Sequence, residues 1–437
     1  MSQRCVYPVH SVAKRMFFAV ALCASFQIAL GTMPSCAAKA SGLSGKVLVG
    51  YQGWFRCPGD GSPKNDWSHW SKGAPTPETM SIDLYPDTSE LSPASKCLLP
   101  GVTIEGKPGY VFSSFPKGTV EKHFEWMRSY EIDGALLQRF INSIGPQQAE
   151  GDTLLKNVRS AAEANGRVFA IEYDLSGAHP QTALQQLQED WQYLTGTLKI
   201  TSSRSYLKDN GKPVVAIWGL GFGDASHIQD PALGLAIVKW FKDTAHVRVM
   251  GGVPAGWRTL SADSSSNPGW TAVYSALDIV QPWTVGRYRT PESADQWKDT
   301  HLIPDLALTR QRKQAYMPVI FPGFSWHNLN RNSSENQIPR LGGKFLWRQA
   351  YNAKNAGASF VKIAMFDEVN EGTAIFKAAA SRKDAPEPGY WLTLDADGDN
   401  LPNDWYLRLA ATISQMFHGT VPASPVMPIS TLKGFGK

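Results

Sequence analysis

Eight short β-rich runs, separated for the most part by stretches with helical spacing, constrain this chain more than any other feature. The runs cover residues 47–51, 135–140, 168–173, 214–218, 247–253, 277–282, 315–321 and 360–366, each ending near Gly, Pro, Asp or an aromatic residue. Between them, Val120, Phe124 and Met127 fall at i, i+4 and i+7, as do Leu154, Val158 and Ala161. Leu184, Leu187 and Trp191 share one helical face; so do Leu235, Val238 and Phe241, and Phe345, Ala350 and Ala353. Alternation of this kind predicts parallel strands joined by crossover helices. Eight units within 437 residues favour a closed (β/α)8 TIM barrel over an open sheet. The helix between the fifth and sixth runs is the most weakly marked.

Two regions fall outside the repeat. Residues 52–109 form a long first βα loop rich in Gly, Pro and Ser, and loops of that length are usually functional. Beyond Phe376 the pattern predicts a C-terminal extension with a helix over 404–418, then a Pro-rich tail over 419–437. The expected organisation is a signal segment at 1–38, a barrel domain at 39–418 and the tail. With 43% apolar and 19% charged residues, the composition excludes a disordered chain and a multi-span membrane protein.

Arg4, Lys14 and Arg15 precede an uncharged stretch over 16–38 whose apolar part is 16–30. That is the shape of an export signal, and it is too short for a bilayer span, which needs about 20 apolar residues. Cleavage after Ala38 or Ala40 would yield a secreted or periplasmic protein; acylation of Cys36 is the lipid-anchored alternative. Removing those three cations leaves 40 basic residues against 38 acidic ones with no basic block, which argues against nucleic acid as a partner. Cys57 and Cys97 are then the only cysteines of the mature chain. An even pair in an oxidising compartment predicts one disulfide, with two separate buried thiols as the alternative. Neither lies in a CxxC, so metal and redox chemistry are not expected.

In a parallel barrel, residues at the carboxyl ends of strands surround the site. Tyr51, Trp54, Tyr173, Trp218, Trp257, Trp283 and Trp326 all lie at or just beyond such ends, and rings beside polar groups suit sugars. Any one Trp of a large barrel is more often core, so the positional run carries the argument. Asp174, Arg287 and His327 are candidate binders of sugar hydroxyls, with capping or salt-bridge roles as alternatives. Glu368 and Glu371 come directly off the last run, in Phe366-Asp367-Glu368-Val369-Asn370-Glu371-Gly372-Thr373. Two nearby carboxyls can divide acid and base roles, as glycoside cleavage requires. Alternatively, one of them caps a following helix. The acidic run 395–400 departs from a calcium loop in its glycine position and in having Tyr406 at position twelve, so it is read as a polar turn. No HExxH, P-loop or GxSxG occurs, and no cofactor is expected.

The stretch Asp367-Glu368-Val369-Asn370-Glu371-Gly372-Thr373 resembles the Asn-Glu-Trp-His-Glu-Gly-Thr motif of the endo-α-mannosidases of glycoside hydrolase family 99. Val47-Leu48-Val49-Gly50-Tyr51-Gln52-Gly53-Trp54-Phe55 and Pro282-Trp283-Thr284-Val285-Gly286-Arg287 resemble the bacterial family 71/99-like branch, and the likeness runs over about 47–418. It implies a barrel that cleaves α-linked glycans with retention and without a metal. It also implies that Glu368 deprotonates the sugar 2-hydroxyl, which closes onto the anomeric carbon, while Glu371 protonates the leaving oxygen and then activates water. Val369 and Asn370 replace the family's Trp and His, implying a remodelled subsite. A non-catalytic carbohydrate-binding barrel and a glycosidase of another linkage (α-1,3-glucanase, xylosidase or arabinosidase) are the rival readings. The expected partner is an oligo- or polysaccharide met by a monomer without a transmembrane span.

Overall fold

The computed structural model describes residues 42–429. The signal-like segment, its alternative cleavage positions, Cys36 and the last residues of the tail lie outside them. Eight parallel strands are present: β1 (Val47–Tyr51), β2 (Gly134–Phe140), β3 (Val168–Asp174), β4 (Lys212–Trp218), β5 (Arg248–Pro254), β6 (Ile279–Trp283), β7 and β8 (Val361–Ile363). β7 comes in two pieces, Ala315–Tyr316 and Val319–Ile320. Consecutive strands pair in parallel from β1 to β6, and β8 pairs with β1.

Closure runs through β7. Its first piece pairs with β6 and its second with β8. The expected single strand over 315–321 breaks at Pro318, which has no N–H to offer a ladder. Around the break, the Met317 N–H still donates to the Val280 carbonyl at 2.9 Å, and the Pro318 carbonyl accepts from the Lys362 N–H at 3.0 Å.

Helices α1 (Lys117–Ser129), α2 (Gln148–Asn165), α3 (Ala183–Gln192), α4 (Pro231–Lys239) and α5 (Trp270–Ala276) fill the first five crossovers. α6 (Pro291–Trp297) and α7 (Ile303–Gln311) share the sixth, and α8 (Lys344–Asn355) takes the seventh. β1 is buried on both faces, as parallel strands between a filled interior and a helix layer must be. α9 (Trp405–His418) is fastened near the start of β2, where His418 Nε2 lies 2.9 Å from Asp133 Oδ2 and Tyr130 donates to Asp404.

A fully buried ion pair spans the barrel interior. Lys362 Nζ on β8 reaches both carboxylate oxygens of Glu172 on β3 at 2.7 Å. These strands are not neighbours, so the contact crosses the barrel. Its direction fixes the register of side chains on β3. Since Glu172 points inward, Tyr173 must point outward.

The long first loop is not purely irregular. Lys96–Ile104 and Lys107–Phe112 form an antiparallel hairpin, and the Cys57–Cys97 disulfide ties its first strand to the start of the loop. Closing that loop stabilises by about 4 kcal/mol in the chain-entropy model. Glu105 (φ 48°) and Gly106 (φ 72°) make the hairpin turn with two positive φ values, a geometry usually signalled by Asn-Gly. Phe112 meets Phe55 and Trp70 edge to face, and those two pack against each other at 4.3 Å, as the loop's own small core.

Candidate active site

The segment after β8 is held from several sides. Asp367 accepts the N–H groups of Gln52 and Gly53, both at 2.8 Å, so its carboxylate pins the end of β1 to the end of β8. The Glu368 carboxylate accepts the Asn370 N–H at 2.9 Å, and its carbonyl accepts from Thr373 and Ala374. The carbonyl of Glu371 accepts the Ser325 N–H at 2.9 Å. Arg340, buried, donates to the carbonyls of Gly372 and Ala374 at 2.7 and 2.8 Å. Gly372 has φ 60°, and a Cβ there would come within 3.1 Å of the Ser325 carbonyl oxygen, so the turn needs glycine. No helix follows Glu371 before the short 3-10 turn Arg382–Asp384, which removes the helix-capping alternative for both glutamates.

Both carboxyls are driven toward their protonated forms. Burial, the charge of Glu371 and the charge of Asp367 together raise Glu368 well above the ordinary carboxylate range. Burial pushes Glu371 up to about 7, and Asp367 up to about 6 against the two N–H groups that favour its charge. Glu368 is only 3% exposed, whereas Glu371 is partly accessible. Two coupled carboxyls of this kind titrate as a pair.

Around the mouth, Trp218 and Trp283 meet edge to face at 5.7 Å, and Lys362 Nζ lies 5.6 Å from the Trp283 ring centroid. Trp54 stacks on His69 at 3.9 Å and on Phe140 at 5.2 Å. Asp174 is buried with its carboxyl raised by that burial, and it accepts the Ser176 N–H at 2.8 Å. The indole N–H groups of Trp54, Trp218 and Trp326 are buried with no partner. Among the described residues, no group of three His, Cys, Asp or Glu side chains is arranged to hold a metal ion.

No family model matches the chain, and no curated protein matches it in sequence. Solved structures do match. The GH99 endo-α-mannosidase from Bacteroides thetaiotaomicron, in complex with BIS-TRIS-propane, aligns with TM-score 0.61 and 17% identity over 86% of this chain and 98% of that one. A second structure of a GH99 endo-α-mannosidase from Bacteroides thetaiotaomicron gives TM-score 0.59 and 16% identity over the same shares. A glycoside hydrolase-like protein aligns at TM-score 0.50 and 13% identity, over 79% of this chain and 98% of that one. The fold is that of the GH99 endo-α-mannosidases.

Within this GH99-like barrel, three expected sugar contacts face elsewhere. Tyr51 and Tyr173 are fully buried in the helix layer, where their hydroxyls meet His123 on α1 and Asp190 on α3. Each is adjacent in sequence to an inward position: Gly50 packs against Met365 and Lys362, and Glu172 bonds Lys362. Trp257 is also buried, donating its indole N–H to Asp305 on α7 at 2.9 Å. Arg287 commits its charge to Asp263 at 2.8 Å, and His327 bonds its own loop through the Ser333 carbonyl at 2.7 Å. Trp54, Asp174, Trp218, Trp283 and Trp326 stay near the strand ends.

The motif's departures from the family also serve the framework. Val369 is buried and its carbonyl accepts from Asp83 and Leu84; the Asn370 amide donates to the carbonyls of His69 and Ser81 at 2.7 and 2.9 Å. These two residues lace the first loop to the β8 turn. Asp83 completes the lacing by accepting the N–H groups of His327 and Asn328 at 2.8 and 2.7 Å. Its sequence surroundings, Ser81-Ile82-Asp83-Leu84, carry no motif, and its partners lie more than 240 residues away.

Proposed function

We propose that this chain is an exported glycoside hydrolase that cleaves α-linked glycans with retention, using Glu368 and Glu371. The observation that carries the reading is the pair itself: two carboxyls, one turn apart after the last barrel strand, each raised by burial and one raised further by the other. Enzymes run acid and base chemistry near neutrality by arranging such pairs. The GH99-like fold over 86% of the chain supports the class of reaction. Export is supported by the disulfide, which belongs to oxidising compartments, and among the described residues no helix is long and apolar enough to cross a membrane.

In the proposed cycle Glu368 takes the proton of the sugar 2-hydroxyl, that oxygen closes onto the anomeric carbon, and Glu371 protonates the departing oxygen. Water then opens that three-membered ring at the anomeric carbon, giving its proton to Glu371, while Glu368 returns its proton to the 2-oxygen. Before substrate binds, burial and the neighbouring carboxylates favour the proton on Glu368. A 2-hydroxyl donating a hydrogen bond to Glu368 favours its ionised form, so moving the shared proton to Glu371 belongs to substrate binding. The test combines a screen of α-mannans, α-glucans and derived oligosaccharides with NMR of the first product anomer. An α-anomer formed first, with turnover lowered by about 10²–10⁴-fold in each of Glu368→Gln and Glu371→Gln, is the expected result. Full rate kept by both variants, or a β-anomer formed first, would overturn the mechanism.

A further inference from the structure

At the end of the barrel opposite the glutamate pair, a cavity of about 300 Å3 opens between α3 and α4. Pro213 at the start of β4 and Val247 just before β5 line it, so it lies at the amino ends of these strands. Glu368 and Glu371 instead follow the carboxyl end of β8. At about 3.3 Å per residue β4 alone spans about 20 Å, so the cavity is separate from the mouth. Its volume stands at the lower end of the roughly 300–1,000 Å3 range of small-ligand sites.

Irregular backbone builds it. Both flanking helices end in a π turn: the Leu198 N–H donates to the Tyr193 carbonyl at 3.1 Å, and the Ala245 N–H to the Trp240 carbonyl at 3.0 Å. Such turns are rare and often mark functional sites. Of the three among the described residues, two border this cavity.

The lining combines indole rings with hydroxyls and carries no charge. Trp191 is only 3% exposed and is fixed edge to face on Phe241 at 5.7 Å; Trp240, half-buried, meets Phe241 edge to face at 4.9 Å. Thr195 Oγ1 donates to the Trp191 carbonyl at 2.8 Å, which leaves that oxygen able to accept. The Gln192 amide and the Thr201 and Thr244 hydroxyls have no hydrogen-bond partner among the described residues. No charged side chain is among the described residues of the lining, so a phosphate, carboxylate or ammonium group would lose water without gaining a counterion. A neutral ring with an apolar face and hydroxyl edges suits both the indoles and the polar groups.

We propose that this cavity is a second, non-catalytic sugar site that holds neutral hexose units and keeps the protein on the polymer it cuts. That the polymer is an α-glycan rests on the hydrolase reading above.

The test runs the Glu371→Gln protein, chosen so that polymer is not consumed, through native gels containing soluble α-mannan or α-glucan. Attachment at two sites holds a polymer more tightly than either site alone, so adding Trp240→Ala should raise the apparent Kd by about tenfold or more. Thr244→Leu should do the same; it fills the cavity from an exposed position and keeps the test valid if Trp240→Ala fails to fold. A parent that neither polymer retains, variants retained as strongly as their parent, or a dimer that Thr244→Leu dissolves in light scattering would overturn the assignment. Hydrolysis by the unaltered protein with retention unchanged in the variants sinks the cavity alone. Retention lost in the variants, with no α-glycan cleaved by the unaltered protein, sinks the hydrolase reading and leaves the cavity a sugar site.

Discussion

Glu172 and Glu368 are both buried glutamates of one barrel, and they are treated in opposite ways. Glu172 has a counterion, with both oxygens 2.7 Å from Lys362 Nζ. Glu368 has only backbone N–H donors and two acidic neighbours, and its carboxyl is raised. In the interior a negative charge is balanced by a fixed cation, which keeps the barrel's layers in register. At the mouth it is balanced by a proton, which can be given away. Burial is common to both sites, so the partner, not the depth, separates a structural carboxylate from one suited to chemistry.

The contrast can be broken at either end. The largest effect is expected at the mouth: Glu371→Gln should lower kcat/KM by about 10²–10⁴-fold on whichever α-glycan is cleaved, while denaturant unfolding shows no loss of stability. Next comes the interior. Lys362→Met leaves a lone buried carboxylate and should cost about 3–5 kcal/mol in denaturant unfolding, whereas combining it with Glu172→Leu should recover most of that loss. If the single and double variants are equally unstable, the ion pair is not what matters there.

A smaller effect sharpens the proton argument. With Glu371 near 7 as the general acid, kcat/KM should fall about tenfold per pH unit above that value, because the ionised form cannot protonate the leaving oxygen. A profile flat to pH 9 would remove Glu371 from that role. The least effect lies far from the mouth, at His418, whose pKa is raised by its hydrogen bond to Asp133. Its stabilisation is complete below the unfolded value near 6.5 and is lost as pH rises through the folded value. His418→Gln should therefore cost less than about 1 kcal/mol at acidic pH and less still at alkaline pH, read by thermal unfolding.

Much of the barrel was legible in advance because helix and strand periods are local properties of the chain. The helices predicted from Val120, Leu154, Leu184, Leu235 and Phe345 are α1, α2, α3, α4 and α8. The parity of Cys57 and Cys97 pointed to the disulfide, and the carboxylate spacing in the last motif pointed to the pair. The hairpin in the first loop was hidden by Pro100 and Gly101 within one strand and by the unusual Glu105-Gly106 turn. The roles of Tyr51 and Tyr173 were misjudged because strand ends identify which residues are near a mouth, not which way alternating side chains point. One inward Glu172 sets that choice for all of β3.

By itself, the order of residues determined the eight-unit repeat, the long insertion after the first strand and the presence of two glutamates three apart. Tertiary structure alone decided that Asn370 and Asp83 stitch the insertion to that motif, that Arg340 clamps the turn, and that a cavity opens between α3 and α4 at the barrel's opposite end. The physical reason is range. Backbone periodicity is set by neighbours a few positions away, whereas burial, charge compensation and hydrogen-bond saturation depend on groups brought together from hundreds of residues apart.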